Sequence, residues 1–461
     1  MSESKSQLLR SLGPWESASI VVGTVIGSGI FLVPTTMAAE VGSAGMVIAV
    51  FLIGGLLSLA GALTYAELGA AMPHAGGEYV YLRESYGPIW SFFYGWTQTM
   101  VAKSGSMAAL AAGFVLYLGA FWPALEDAFI QTGLPFGPDG SDFAISYGQL
   151  VAVAVILGLG TVNYFGVKLG GRVQTALTLL KIGLILTIVG CAALIGGGAA
   201  SNLTTVAEHT GGITGFFAAL VAALWAYDGW NNVSMASGEV RDPGKHIPRA
   251  LIGGVLVIMA IYALTNFAYF YVLTASEVAG TDRVASEAAR RFLGAGGADA
   301  VALVAMISIF GALNGSILAG ARVPYAMARD RYFFGSLSQV HPEHRTPHVS
   351  IAALCVWASV LALSGRYEDL FNLVIFASWI LYAMTAASVI VLRRTEPDLD
   401  RPYRVPGYPL VPLAFVVSAV ALVLMTLRDS PRESLMGLGL IAAGAPFYFY
   451  WKKRVDPINQ R

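Results

Sequence analysis

Three stretches carry residue types that are out of place in an apolar chain. "LWAYDGWNN", Leu224 to Asn232, sets a carboxylate, a glycine and two asparagines inside an apolar run from Ile213 to Ser237. "GTVIGSGIF" puts Gly23, Gly27 and Gly29 beside Thr24 and Ser28 in the first run, and Lys181 stands alone in the fifth. Glycine weakens a helix and frees backbone groups, and in hydrocarbon those groups must find partners. The amides freed around Ser28 and Gly29 suit a carboxylate, helped by the positive end of the half-helix that follows. A small-residue packing seam through Gly23 and Gly27 explains the same glycines equally well. Gly229 permits unwinding after Tyr227, which releases carbonyls that accept hydrogen bonds from an ammonium. Asp228 either adds a negative charge there or caps the second half-helix by accepting its N–H groups. Two such breaks together match a zwitterion, with donors for one end and acceptors for the other.

Lys181 lies about nine residues into its run, roughly 14 Å from the inner end at 1.5 Å per residue. At that depth it cannot snorkel, so it needs a carbonyl or hydroxyl partner or gives up its proton. Lys103 falls in a longer third run and is not placed by length alone, while Arg322 is near enough to a run end to snorkel. Trp225 and Tyr227 flank the second break; packing is the ordinary fate of such aromatics, and Trp225 is also positioned to act as a lid. His74, His246, His341, His344 and His348 lie at run ends and His209 in a loop, with no metal-ligand spacing among them, so no metal or cofactor is expected. No nucleophile, base and orienter assemble, which argues against an enzyme, and no basic, aromatic surface suggests nucleic acid.

The elements that must hold these residues are membrane helices. Of 461 residues 56% are hydrophobic and only 12% charged, too apolar for a soluble domain. A bilayer-crossing helix needs about 20 apolar residues. Twelve runs reach or approach that length, near 15–39, 46–72, 88–121, 146–165, 173–197, 213–238, 250–274, 299–328, 348–364, 369–392, 408–427 and 435–451. The expected fold class is therefore an all-α membrane protein of twelve transmembrane helices forming one domain, residues 1–461. Placing the N-terminus inside puts Arg241, Lys245, Arg249, Arg329, Arg331, Arg393 and Arg394 on the cytoplasmic side. It leaves Arg283, Arg290, Arg291, Arg366, Arg428 and Arg432 outside, so both termini are expected in the cytoplasm. Cys191 and Cys355 then fall in opposite bilayer halves, where no disulfide joins them. The longest outer loop, about 122–145, contains "QTGLPFGPDGSD", which is turn and loop chemistry. The two broken runs are five spans apart and cross in opposite directions, as in an inverted repeat of residues 15–197 and 213–392, with 408–451 added at the end.

The ordered series "VVGTVIGSGIF", "YAELGAAMPHAGGEYVYLRESYG", "RVQTALTLLK", "WAYDGWNN…GEVRDPGKHIPRA", "FGALNGSILAGAR" and "LRRTEPDLDRPYRVP" resembles the amino acid–polyamine–organocation transporters. Within them it is most similar to the L-type amino acid transporter branch. The resemblance covers nearly the whole chain. It implies a leucine-transporter-like fold of five plus five helices with discontinuous helices 1 and 6, and alternating access for amino acids. It implies that Val25, Ser28 and Gly29 receive the substrate carboxylate, and that Trp225, Ala226 and Asp228 line the amine and side-chain pocket with Trp225 as gate. Val101, Ala102 and Ser378 fall where such proteins face the substrate. Lys181 matches a lysine that takes the place of a sodium ion by bridging the first and eighth spans, with a partner near Asn314 or Ser316. The outer loop after the third span lacks the cysteine through which animal relatives bind a glycoprotein, so no disulfide-linked heavy chain is expected. The implied function is sodium-independent exchange of neutral L-amino acids across a bacterial inner membrane. Proton-coupled uptake, cationic substrates, and a sensor that binds without turnover remain open beside it.

Overall fold

The computed structural model describes residues 8–132, 144–195, 197–206, 211–281, 283–364, 367–429 and 431–459. Each of the twelve apolar runs is helical. The first is split into α1 (Pro14–Val25) and α2 (Gly29–Val41), followed by α3 (Ala44–Ala71) and the short α4 (Glu78–Tyr86). The third run is α5 (Pro88–Thr97), a π-helical turn at Gln98–Ala102, and α6 (Lys103–Leu118). Next come α7 (Tyr147–Tyr164) and α8 (Val167–Ile195), then α9 (Gly212–Ala226) and the one-turn α10 (Asn232–Met235), which share the sixth run. They are followed by α11 (Pro243–Val272), α12 (Ala275–Ala279), α13 (Val284–Leu293), α14 (Ala295–Gly320) and α15 (Arg322–Arg329). The chain ends in α16 (His348–Leu363), α17 (Tyr367–Thr395), α18 (Leu410–Asp429), α19 (Pro431–Ala442) and α20 (Ala445–Asn459).

Local chemistry sets these boundaries. Pro14 occupies the first position of α1, where a missing N–H costs nothing, and the Gly13 amide donates to Glu16 Oε2 at 2.9 Å. Ser146 and Gln149 form a reciprocal capping box at the start of α7. In the segment between α6 and α7, β1 (Ala128–Gln131) pairs antiparallel with β2 (Ala144–Ser146), where turn and loop chemistry alone was expected. Most of "QTGLPFGPDGSD", together with Lys5, His209 and Arg366, lies outside the described residues.

Among the described residues, nine helical stretches are long and apolar enough to cross a bilayer, while α9 and α16 are apolar but shorter. Length therefore supports the expected twelve spans only in part: the break after Ala226 cuts the sixth run short, α16 is short as well, and α17 is not among the nine. What stands is an all-α, multi-span membrane fold with discontinuous helices. α1 packs against α8, α11 and α14, and α2 against α9, so the first run sits at the centre of the bundle.

One end of the bundle, called basal here, gathers several charged pairs. Leu12 bridges Val240, and the amides of Ser11 and Leu12 donate to the Glu239 carbonyl at 2.9 Å. Arg322 is 1% exposed and donates to Glu239 Oε2 at 2.6 Å, with the glutamate itself fully buried. The expectation that Arg322 snorkels is thus corrected: a carboxylate just past the sixth run meets it inside the protein. Glu67 takes Arg393 at 2.6 Å and Arg401 at 3.5 Å, tying α3 to the end of α17 and the segment after it.

Candidate functional site

A helix end leaves its last carbonyls and first amides without intrahelical partners, so each break can be followed bond by bond. At the end of α1, Lys181 of α8 donates to the carbonyl of Gly23 at 2.7 Å and to that of Ile26. Ser308 of α14 adds its hydroxyl to Ile26 O at 2.8 Å, and Lys181 reaches Ser308 O at 3.3 Å. The Lys181 side chain is fully buried. It therefore joins the broken first run to α14, although not through the residues expected from sequence. Asn314 instead bonds Asn163, Gln174 and Gly170. Ser316 lines the central cavity. The shift has a simple cause, since six residues separate Ser308 from Asn314, about 9 Å along a helix, beyond the level at which Lys181 crosses.

The second break faces the first. Thr24 of α1 donates its hydroxyl to Gly229 O at 3.0 Å. Tyr262 of α11 places its hydroxyl 3.0 Å from Val25 O and 2.8 Å from Ala226 O, so one buried group serves the frayed ends of both helices. Gly229 has φ +102°, a conformation glycine adopts without strain. Gly29 is required for a different reason, because a Cβ there would lie 2.9 Å from the Ala226 Cα. The amides of Ser28 and Gly29 open α2, where no intrahelical acceptor is available to them.

Between the breaks lies a cavity of about 330 Å³, at the small end of the ~300–1,000 Å³ range of small-molecule sites. Val25, Ser28, Gly29, Trp225, Ala226 and Asp228 all border it. A recess of about 40 Å³ continues from it past Lys103, Trp225 and Asp228 to Ala102, Ser378 and Tyr382. Val101 is buried in the π-helical turn and borders neither space. That turn re-aims the start of α6 and loosens its carbonyls: Met100 O accepts from Trp357 Nε1 at 2.7 Å and Thr99 O from the Ser104 hydroxyl at 3.0 Å. Lys103 follows directly and donates to Asn232 Oδ1 of α10.

Asp228 is not a cap. Its Oδ1 accepts from the Tyr382 hydroxyl at 2.9 Å, and α10 has no side-chain cap on its first turn. Asp228 lines the cavity and, with Tyr382, the recess that continues from it. The cavity therefore presents two first-turn amides on the α2 side, a carboxylate on the α9–α10 side, and a lysine ammonium at its edge. No group of metal-ligating side chains converges among the described residues, and both cysteines are free.

Sequence reasoning did not foresee Tyr262, Ser308 or Tyr382. Each is a hydroxyl within a long apolar helix, and only its partner in space marks it. Thr24 was visible inside "GTVIGSGIF", but nothing in the sequence ties it to Gly229.

A sequence profile described as amino acid permease matches residues 12–438. The chain is 33% identical over 452 residues to the serine/threonine exchanger SteT of Bacillus subtilis (strain 168), covering 97% of this chain and 98% of that protein. It is 31% identical over 457 residues to the human cystine/glutamate transporter, covering 98% of this chain and 88% of the relative. It is 32% identical over 448 residues to the human b(0,+)-type amino acid transporter 1, covering 96% and 88%.

Proposed function

The chain belongs to the amino acid permease family, and we propose that it moves L-amino acids across the bacterial inner membrane by sodium-independent exchange. The observation that carries this reading is the cavity between two helix breaks, with first-turn amides for a carboxylate on one wall and Asp228 on the other. A free α-amino acid is the smallest molecule that satisfies both. The names of the relatives, an exchanger of serine and threonine among them, support amino acids as cargo.

Sodium independence rests on Lys181. Its ammonium holds the Gly23 and Ile26 carbonyls against α14, a position in which a fixed cation replaces a dissociable one. With no ion to load or release, reorientation is driven by substrate on either side, which is exchange. In this reading the twelve runs are spans, residues 15–197 and 213–392 form inverted five-helix repeats, 408–451 adds two helices, and both termini lie in the cytoplasm. Val25, Ser28 and Gly29 receive the carboxylate; Trp225, Ala226, Asp228, Ala102 and Ser378 shape the rest of the pocket.

In this reading the substrates are small and medium neutral amino acids, which the modest volume of the cavity supports. One observation favours a second reading. Asp228 bonds Tyr382 and, among the described residues, no helix-end amide while lining the cavity, which supports lysine or arginine as substrates as well. Counterflow of labelled amino acid into preloaded proteoliposomes tests transport and substrate range together.

A further inference from the structure

The transport reading uses Asp228 and leaves two other buried charges unexplained, Glu78 and Lys103. Glu78 opens α4 and is fully buried. Asn231 donates its amide to Glu78 Oε1, while Oε2 is buried without a hydrogen-bond partner. The next residue, Asn232, accepts from Lys103, whose ammonium is bonded to neither carboxylate and lies within electrostatic reach of both Glu78 and Asp228. Two adjacent asparagines thus connect a hidden acid to the lysine at the edge of the substrate cavity.

We propose that Glu78, acting through Lys103, sets the net charge of the substrate pocket, so that the choice between neutral and cationic amino acids changes with pH. The inference rests on the pocket being an amino acid site and adds the residue that tunes it. With Glu78 ionised, the set Glu78, Lys103 and Asp228 carries one net negative charge, and Glu78 competes with Asp228 for Lys103. Asp228 is then left to a cationic side chain. With Glu78 protonated the set is neutral, Lys103 serves Asp228, and an uncharged side chain meets no excess field.

The geometry favours a proton on Glu78. A buried carboxylate oxygen without a hydrogen bond is costly, and protonation lowers that cost by removing the charge. Burial accordingly pushes the Glu78 carboxyl up to about 7, with its own backbone amide, Lys103, Tyr94 and Asn231 pulling the other way. The other titratable groups facing it are Tyr65 of α3, Tyr81 of α4 itself, Tyr94 of α5 and Tyr382 of α17. Tyrosines stay neutral across the physiological range, so none of them supplies the change of charge assigned to Glu78. Further along α4, Arg83 is taken by Asp330, just past α15.

The test is competition of labelled alanine counterflow by unlabelled alanine and lysine, at about pH 5.5 and about pH 8.5, on either side of the Glu78 midpoint. In the wild type the preference for lysine over alanine rises about fivefold or more with pH, an electrostatic effect of one charge at partial screening. In Glu78→Gln it stays at the low-pH value throughout, and Glu78→Asp restores a pH dependence. Should Glu78→Gln not fold, proton release on binding to the wild type decides the matter, because linkage is reciprocal. Lysine releases protons near pH 7 in weakly buffered medium and alanine does not. A flat wild-type preference, an unchanged pH profile in Glu78→Gln, or lysine binding without proton release overturns the proposal. Alanine that is not moved at any pH overturns the transport reading itself, so the two failures are distinct.

Discussion

The hydroxyl of Tyr382 donates to Asp228 Oδ1 at 2.9 Å, which brings α17 to the broken sixth run beside the recess that both residues line. Asp228→Asn preserves the shape and the Tyr382 contact and removes the charge. A carboxylate near a bound ammonium contributes on the order of 1–4 kcal/mol at intermediate dielectric, so inhibition by lysine and arginine is expected to weaken tenfold or more. Alanine and leucine should change far less. Competition assays with all four amino acids measure this, and an equal loss across them assigns Asp228 a purely structural role.

Lys181→Ala removes the donor shared by Gly23 O and Ile26 O. Each carbonyl left unpaired in the interior costs about 1–3 kcal/mol, although Ser308 still reaches Ile26. Counterflow is expected to fall by an order of magnitude or more, with a lower thermal midpoint but intact expression. Wild-type counterflow in this variant contradicts the bridging role.

Gly29→Ala places a methyl group 2.9 Å from the Ala226 Cα. The neighbour is backbone and cannot swing aside, so α2 or α9 must shift, a strain of about 1–3 kcal/mol. Apparent affinity for alanine is expected to drop about tenfold, since the amides of the α2 first turn move with it. Gly45→Ala, where a Cβ meets nothing within 4 Å, serves as the control. Equal affinities in the two variants remove the first-turn amides from the carboxylate site.

The two breaks were legible in the sequence because their residue types conflict with a continuous helix in lipid. Gly229 beside Asp228, and Ser28 between two glycines, announce an interruption wherever they fall in an apolar run. Lys181 was legible for the same reason, as a charge too deep to reach water. Its partner on α14 was not, because the register between two packed helices depends on tilt and rotation, which periodicity does not supply. The hydroxyls of Tyr262 and Tyr382 were silent too, since a tyrosine in an apolar helix looks the same whether it packs or bonds. Glu78 sits in a segment with charges and glycines that reads as an ordinary connection, and only its burial gives it meaning. The π-helical turn at Gln98–Ala102 likewise leaves no signature in "WTQTMVAKSG".

The central claim is that this pocket exchanges amino acids without a sodium gradient. Purified protein in liposomes, with sodium absent on both sides, is given external labelled alanine, with the interior either empty or preloaded with unlabelled alanine. Rapid labelled uptake into preloaded liposomes and little into empty ones is the expected result. Accumulation that needs an imposed sodium gradient, or no movement of label in either case, contradicts it.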